Sequence, residues 1–230
     1  MGGGGTTTQR ASAHEHPKLG VAATVQRLEV AADPAGAAYF HNVRVNGILP
    51  RDSSIGLFAL LAVLNSRPVD FAFRRGAAPL QNGFFTANKQ FISWLPIPEP
   101  SPTELVQHGK RLYELANAVE QERSTFLDWL TSVCGTPLKE LHGWTKLEGY
   151  ARQGRAAALD ILDANASRLK IDPRSRTHRE RISAELDSSA ARIAEQGAQL
   201  ELLEREVDVL IAEAYGLTAA QCARVDSEYE

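Results

Sequence analysis

The sequence predicts an α+β fold, in which a small mixed α/β domain over residues 17–102 precedes an antiparallel, coiled-coil-like bundle of long helices over 103–230. Short segments with strand-like and helical patterns alternate in the first region, and prolines 96, 98, 100 and 102 close it. In the second region apolar residues recur at seven-residue intervals, which is typical of helices that pack on helices. Residues 1–16 form a glycine-rich polar tail that we expect to be disordered.

Composition and charge favour a folded protein with an uneven charge distribution. Of the 230 residues 43% are hydrophobic, which is enough for a core, and the formal net charge of -3 argues against a uniformly basic nucleic-acid binder. Residues 177–230 hold twelve acidic and five basic side chains, so the basic side lies in the amino-terminal part. Between residues 60 and 98 only Asp70 opposes four cations, which predicts a local positive surface formed by Arg67, Arg74, Arg75 and Lys89.

Several classes of protein are disfavoured by the sequence. Cys134 and Cys222 have no second thiol or histidine at metal-ligand spacing, so neither a disulfide framework nor a zinc site is expected. The longest apolar run, Ile55 to Leu64, is about half of what a bilayer span needs, and no charged leader precedes an apolar segment. We therefore expect a cytoplasmic protein without a membrane partner.

Two strands are expected at the start of the mixed domain. Residues 18–31 are rich in Val, Thr, Leu and Ala and alternate weakly, and residues 37–48 repeat that character. Between them, Asp33-Pro34-Ala35-Gly36 is a turn-forming sequence. This pattern predicts two strands joined at residues 33–36.

Two helices follow. Residues 53–66 are apolar all round, which predicts a buried helix whose amino-terminal cap is Asp52, Ser53 or Ser54. Pro68 starts a second, shorter helix that carries Arg74 and Arg75 at its carboxyl end, where cations suit the helix dipole. The expected core face of this helix consists of Val69, Phe71, Ala72 and Phe73.

The mixed domain ends with a turn, a strand and a short helix. Gln81-Asn82-Gly83 predicts a turn, residues 84–86 a short strand, and residues 88–94 one or two helical turns. We expect the aromatic side chains here to lie in the core rather than to stack on bases, namely those of Phe84, Phe85 and Trp94. The proline series beyond them predicts a stiff, extended connector.

Long helices dominate the remainder. Thr103 opens the first, which ends at Gly135-Thr136-Pro137 and carries the heptad series Leu105, Leu112, Val119, Phe126 and Val133. A helix over about 151–169 follows, and Pro173 separates it from a last long helix over about 176–215. The stripe of this helix consists of Ile182, Leu186, Ile193, Leu200, Leu203, Val207 and Leu210. We expect the two long helices to pair antiparallel.

Short phrases in a fixed order carry a family resemblance. Leu64-Asn65-Ser66 ends the apolar helix, and Leu95-Pro96-Ile97-Pro98 follows about thirty residues later, after Phe71-Ala72-Phe73 and Lys89-Gln90-Phe91. Near the end stands Tyr215-Gly216-Leu217-Thr218, where Ala214 replaces the leucine usual in the family. In this order the phrases resemble the TaqI-like C-terminal specificity domain of restriction-modification adenine-specific DNA methyltransferases. The resemblance implies that residues 17–102 are the carboxyl-terminal part of a DNA target-recognition domain.

The resemblance implies double-stranded DNA as the partner. Arg74, Arg75 and Lys89 are candidates for phosphate or guanine contacts, although a solvated surface explains them equally well. The amides of Gln81, Asn82 and Asn88 suit the edges of adenine, although Asn-Gly is also a common way to turn a hairpin.

No catalytic set is found in the sequence. An adenine-N6 methyltransferase needs a pocket for S-adenosylmethionine and an Asn/Asp-Pro-Pro-Tyr/Phe loop for the flipped base. Asp33-Pro34 and Asp172-Pro173 lack the second proline and the aromatic residue. We therefore expect no cofactor in this chain and place S-adenosylmethionine in a separate or missing catalytic domain. His14-Glu15-His16 lies in the tail and does not predict a metal site.

The expected function is sequence-specific DNA recognition, as the specificity part of a restriction-modification methyltransferase that is encoded separately or truncated. Two alternatives remain open. A specificity subunit of a multi-subunit restriction system combines recognition domains with long helices, but it normally holds two such domains, and no internal repeat is seen here. The heptad helices also permit a protein interaction module without a role on DNA. The target site and the oligomeric state do not follow from the sequence.

Overall fold

The computed structural model describes residues 16–38, 44–50, 55–98 and 103–229. These residues form an α+β fold of small antiparallel sheets and long helices, which confirms the predicted class. The chain divides into two compact units, unit 1 with residues 1–113 and 202–230 and unit 2 with residues 114–201. A domain boundary after residue 102 stays a prediction. All of the expected tail except residue 16 lies outside the described residues.

In the part of unit 1 that the structure describes, five strands form two sheets. A three-stranded antiparallel sheet has the order β3-β1-β4, and β2 pairs with β5 in a second, two-stranded sheet. The strands are β1 Lys18–Ala22, β2 Thr24–Val25, β3 Val30–Asp33, β4 Val45–Ile48 and β5 Phe85–Thr86.

The prediction of two strands joined at residues 33–36 is wrong. The turn itself is present, with Gly36 N donating to Asp33 O at 3.3 Å, but β3 and β4 on either side of it both pair with β1 and not with each other. The segment 18–31 also reverses direction within itself, because β1 and the start of β3 are antiparallel neighbours. No glycine or proline marks that reversal in residues 23–29, so it left no turn pattern in the sequence.

Among the described residues, the amino-terminal part of unit 1 also contains the helices α1 Leu57–Asn65, α2 Arg67–Gly76 and α3 Lys89–Ile92. Helix α1 buries every residue from Ala59 to Leu64, which confirms the predicted buried helix. The expected capping residues 52–54 lie outside the described residues. At the other end of α1 the Asn65 side chain donates to Val30 O at 3.0 Å and accepts from Val30 N at 2.8 Å. Asn65 therefore satisfies the backbone of β3 as a neighbouring strand would.

The two long helices are α4 Thr103–Cys134 and α8 Arg176–Ala214, and each contributes to both units. In unit 1 they bury Leu105, Leu112 and Val207, as the heptad stripes predict, and also Ile211, which is not part of the predicted stripe. A short helix, α9 Ala219–Asp226, follows α8 and begins with a capping box formed by Thr218 and Gln221.

Unit 2 is helical and has its own core. Between the long helices lie α5 Trp144–Glu148, α6 Tyr150–Gln153 and α7 Arg155–Ala164. The single helix predicted over about 151–169 is wrong, because Gly154 adopts a left-handed φ of 83° and ends α6 before α7 begins. The core of unit 2 is built around Phe126, Leu130, Tyr150, Leu162 and Ile182, each at most 2% exposed.

Candidate nucleic-acid interface

The end of unit 1 that carries most of the predicted site residues is a small β ribbon. On one edge strand β5 pairs with β2, Thr24 with Thr86 and Val25 with Phe85. On its other edge it pairs with residues 78–80, which precede the turn at 81–83, and Leu80 N donates to Phe84 O at 2.6 Å across that turn. The buried side chain of Phe73 supports the ribbon, with its ring centroid 6.3 Å from that of Phe85 in an edge-on arrangement. The ribbon therefore stands on the core of unit 1.

The turn of this ribbon presents polar side chains to solvent. Gln81, Asn82 and Gly83 are all exposed. Asn82 has a φ of 60° and Gly83 a φ of 73°, and these left-handed values explain the Asn-Gly pair, since both residue types tolerate that region. Among the described residues the side-chain amides of Gln81 and Asn82 have no hydrogen-bond partner. Their donors and acceptors are available to a ligand.

A second polar group follows β5 at the start of α3. Asn88 caps this helix, because its Oδ1 accepts from Gln90 N at 3.0 Å. This accounts for Asn88 structurally, and its expected contact with a base stays a prediction. Lys89 and the Gln90 side chain are exposed and, within the part of the chain that the structure describes, unpaired.

We call the exposed residues Gln26, Gln81, Asn82, Lys89 and Gln90 the polar ribbon. Gln26 belongs to it because its Nε2 donates to Asn82 O at 3.5 Å. Lys89 is the one charged residue in the sequence from 77 to 98, so no carboxylate lies in that segment to repel phosphates. From residue 83 to residue 88 an extended chain spans at most about 17 Å, which corresponds to about five base pairs of duplex.

Arg74 and Arg75 lie at the carboxyl end of α2, as predicted, but both have carboxylate partners. Arg74 Nε lies 3.2 Å from Asp70 Oδ2, and Arg75 Nη2 lies 2.9 Å from Glu228 Oε1. The Arg75 guanidinium also lies 3.3 Å from the centroid of the Phe71 ring. Contacts of these two arginines with DNA stay a prediction, and they would have to displace or share these partners.

Tyr229 holds this arginine cluster together. Its hydroxyl donates to Asp70 Oδ2 at 2.6 Å, and the ring lies between 5.0 and 5.5 Å from the guanidinium carbons of Arg27, Arg67 and Arg74. Burial raises the pKa of Tyr229 far above its ordinary value, so the phenol keeps its proton. This role of Tyr229 was not predicted from the sequence. The one available signal was Asp70, a single acid among apolar residues and arginines.

The buried carboxylate of Asp70 is fully used inside unit 1. It is 0% exposed, accepts from Leu28 N at 2.6 Å, and binds Arg74 and Tyr229 through its other oxygen. A buried carboxylate needs such partners because losing water is costly for a charge. Asp70 thus fixes the position of the segment that leads into β3.

Asp208 of helix α8 caps the amino end of α2. Its Oδ1 accepts from Arg67 N at 2.7 Å, and its Oδ2 lies 3.4 Å from Arg67 Nε. Burial raises the pKa of Asp208 to about 6, even though its contacts with Arg67 act in the opposite direction. Asp226 also lies 3.4 Å from Arg67, so this third arginine is paired as well.

The prediction that Trp94 lies in the core is wrong. Its side chain is 48% exposed, and it packs on Gly76, where an added Cβ would lie 2.9 Å from Trp94 Cε2. The Trp94 ring covers the end of α2 and leaves its other side to solvent. Phe84 and Phe85 are partly buried.

Comparison of the chain with protein-family models, with curated protein sequences and with solved structures gives no match. Within the described ranges no group of three His, Cys, Asp or Glu side chains is placed to hold a metal ion. None of the helices described here combines the length and apolar character that crossing a bilayer requires.

Proposed function

We propose that this chain reads DNA sequence as the specificity part of a restriction-modification adenine-N6 methyltransferase. Methyl transfer and the binding of S-adenosylmethionine belong, in this proposal, to a separate catalytic domain. The observation that carries the proposal is the polar ribbon, which has exposed amides, a single lysine and no carboxylate in the 77–98 segment.

The chemistry of the polar ribbon suits base edges in the major groove. A primary amide donates and accepts at once, which matches the amino group and N7 of adenine, and Gln81 and Asn82 have both functions unused. The turn that carries Gln81 and Asn82 joins two paired segments, residues 78–80 and 84–86, and a pair of strands is narrow enough to enter the major groove, which is about 12 Å wide. Lys89 adds a cation for a phosphate or for guanine.

Two of the phrases that carry the family resemblance have structural roles in unit 1. Asn65 of Leu64-Asn65-Ser66 bonds the backbone of β3, and Pro96 O of the proline phrase accepts from the Tyr215 hydroxyl at 2.5 Å. Asn65 and Pro96 thus each bond to another element of unit 1, which gives both phrases a structural role.

A protein-interaction role has one observation in its favour. Leu202 and Val209 of helix α8 in unit 1 are 59% and 56% exposed and stand seven residues apart, on one face of the helix. An apolar face with this spacing is typical of a surface that packs on another helix. If the chain reads DNA, the partner that packs on this face is the catalytic domain. In the alternative, binding a partner protein through this face is the whole function.

The discriminating experiment selects target sequences from a duplex library and then measures the affinity of variants for target and random duplex. Gln81→Ala with Asn82→Ala should reduce the preference for the target by roughly 10-fold or more, since a bidentate base contact contributes about 1–3 kcal/mol. Lys89→Ala should weaken binding to the target and to the random duplex alike and lower the salt slope by about 0.9.

The matched control changes the same residue types on α4 of unit 2. Asn117 and Gln121 are exposed there, so the pair Asn117→Ala and Gln121→Ala removes two amides without touching the polar ribbon. An unchanged target preference in the ribbon variant would refute DNA reading by this surface. Absence of any salt-dependent binding by the parent protein would refute the DNA role and favour the interaction module.

A further inference from the structure

A short segment of unit 2 is much more basic than the rest of the chain. Residues 166–181 contain six arginine or lysine residues and only two acidic ones, in a protein whose formal net charge is -3. The segment joins the end of α7 to the start of α8. Such a local excess of positive charge attracts anions over a distance of about one Debye length, roughly 8 Å at physiological salt.

This segment folds onto the chain that leaves α4. Lys170 N donates to Cys134 O at 2.9 Å, and Thr136 Oγ1 donates to Arg168 O at 2.8 Å. The aliphatic stem of Lys170 lies against Gly135, where an added Cβ would lie 2.8 Å from its Cδ. These contacts bring the charges of residues 166–174 to the same end of unit 2 as Lys139.

Two guanidinium groups at this end are held by carbonyl oxygens. Arg168 Nη1 donates to Glu140 O at 3.0 Å, and Arg174 Nη2 donates to Asp163 O at 3.0 Å. A carbonyl accepts a hydrogen bond without cancelling the charge, so both side chains are positioned while their charge remains. By contrast the Arg176 guanidinium has a carboxylate partner, because its Nε lies 2.7 Å from Glu180 Oε1.

We call the four exposed cations at this end of unit 2 the basic tip, namely Lys139, Arg168, Lys170 and Arg174. In the described part of the chain none of them has an ion-pair partner. Glu140 and Asp172 are the exposed acids at this end, and Asp172 Oδ1 accepts from Arg174 N at 3.0 Å. The amino end of α8 adds a partial positive charge of its own.

We propose that the basic tip is a second DNA contact, which binds the phosphate backbone without reading sequence. Positioned cations without amides or aromatic rings among them suit phosphate oxygens, which are the same at every base pair. The choice of DNA as the polyanion rests on the proposed function, whereas the tip itself lies outside the polar ribbon.

The test measures the affinity for a random-sequence duplex over a range of salt concentrations. Changing Arg168, Lys170 and Arg174 together to Gln should lower the salt slope by about 2.7 and the affinity at about 0.1 M salt by roughly 500-fold, if each contacts one phosphate. A milder variant, K139Q with K170Q, removes no side-chain hydrogen bond among the described residues and should lower the salt slope by about 1.8.

The matched control is R152Q with R155Q, which removes two cations of unit 2 where α6 ends and α7 begins rather than at the tip. Arg155 pairs there with Asp187, and α8 rises by about 20 Å between Arg176 and Ser189. This control should bind DNA as the parent protein does. Far-UV circular dichroism establishes that every variant keeps its helices.

Four outcomes separate the two proposals. If the tip variants lose affinity and the ribbon variant keeps its target preference, phosphate binding by the basic tip is supported and base reading by the polar ribbon is overturned. Loss of target preference in the ribbon variant alone, with parental affinity in both tip variants, overturns the tip. Equal losses of affinity in the tip variants and in the R152Q/R155Q control would show a nonspecific effect of charge and would also overturn the proposal that the basic tip binds DNA. A parent protein that binds no duplex at low salt overturns both.

Discussion

The sharpest test of the packing is a pair of glycine substitutions with opposite expected signs. Gly109 and Gly197 both lie inside long helices, where replacing glycine by alanine normally stabilises a helix by about 1 kcal/mol. At Gly197 nothing lies within 4 Å of an added Cβ. At Gly109 the added Cβ would lie 2.6 Å from the carbonyl carbon of Phe58, which belongs to the backbone of α1.

The expected magnitudes follow from these surroundings. Gly197→Ala should raise the free energy of unfolding by about 1 kcal/mol. Gly109→Ala should lower it, because a backbone group cannot rotate away and α4 must shift from α1, at a cost of about 1–3 kcal/mol or more that exceeds the gain in helix propensity. Urea unfolding followed by far-UV circular dichroism measures both. If Gly109→Ala were as stable as Gly197→Ala, the close contact of α4 with α1 would be refuted.

Two further predictions concern the arginine cluster of unit 1. Tyr229→Phe removes a hydrogen bond to the buried carboxylate of Asp70 and should lower the free energy of unfolding by about 1.5–3 kcal/mol in the same urea assay. Tyr215→Phe removes a bond to a neutral carbonyl and should lower it by about 0.5–1.5 kcal/mol. Equal losses of stability in the two variants would contradict the role of Asp70. Because burial raises the folded-state pKa of Asp208 to about 6 from an ordinary 3.8, its contribution to stability is present below pH 4 and is lost as the pH rises towards 6. The free energy of unfolding of Asp208→Asn should therefore rise relative to that of the parent protein between pH 4 and 7, by about 3 kcal/mol at most. A stability difference between the two proteins that does not change with pH would contradict this.

The sequence predicted those parts of the fold that have a long, regular period. The heptad series from Leu105 to Val133 identified α4, and the unbroken apolar run before Asn65 identified α1 as buried. Each signal is repeated over several turns, so a single exception does not erase it. The turns at residues 33–36 and 81–83 were likewise marked by residue types that few other structures favour.

The sheet order did not follow from the sequence, for a physical reason. Strands β2 and β5 are two residues long each, which is too short for an alternation to be seen. Their pairing joins Thr24 to Thr86, and the order β3-β1-β4 depends equally on contacts between distant segments. Local pattern fixes which residues are extended, whereas tertiary packing decides which of them pair.

The candidate site shows the same limit for charge. Counted along the sequence, residues 60–98 have four cations and one acid, which predicts a positive surface. In the structure Arg67, Arg74 and Arg75 are paired with carboxylates, three of which come from residues beyond 200. Of that set only Lys89 has no partner within the described residues.

This neutralisation changes what unit 1 can contribute to DNA binding. A salt slope reflects the number of phosphates that are neutralised, at about 0.9 for each contact, so a ribbon with Lys89 as its one unpaired cation accounts for a slope near one. Discrimination and affinity then have different sources, since the amides of the ribbon distinguish bases without adding to the slope. A parental slope well above one would therefore require phosphate contacts elsewhere, either at the basic tip or on a catalytic partner, and the tip variants decide between these two.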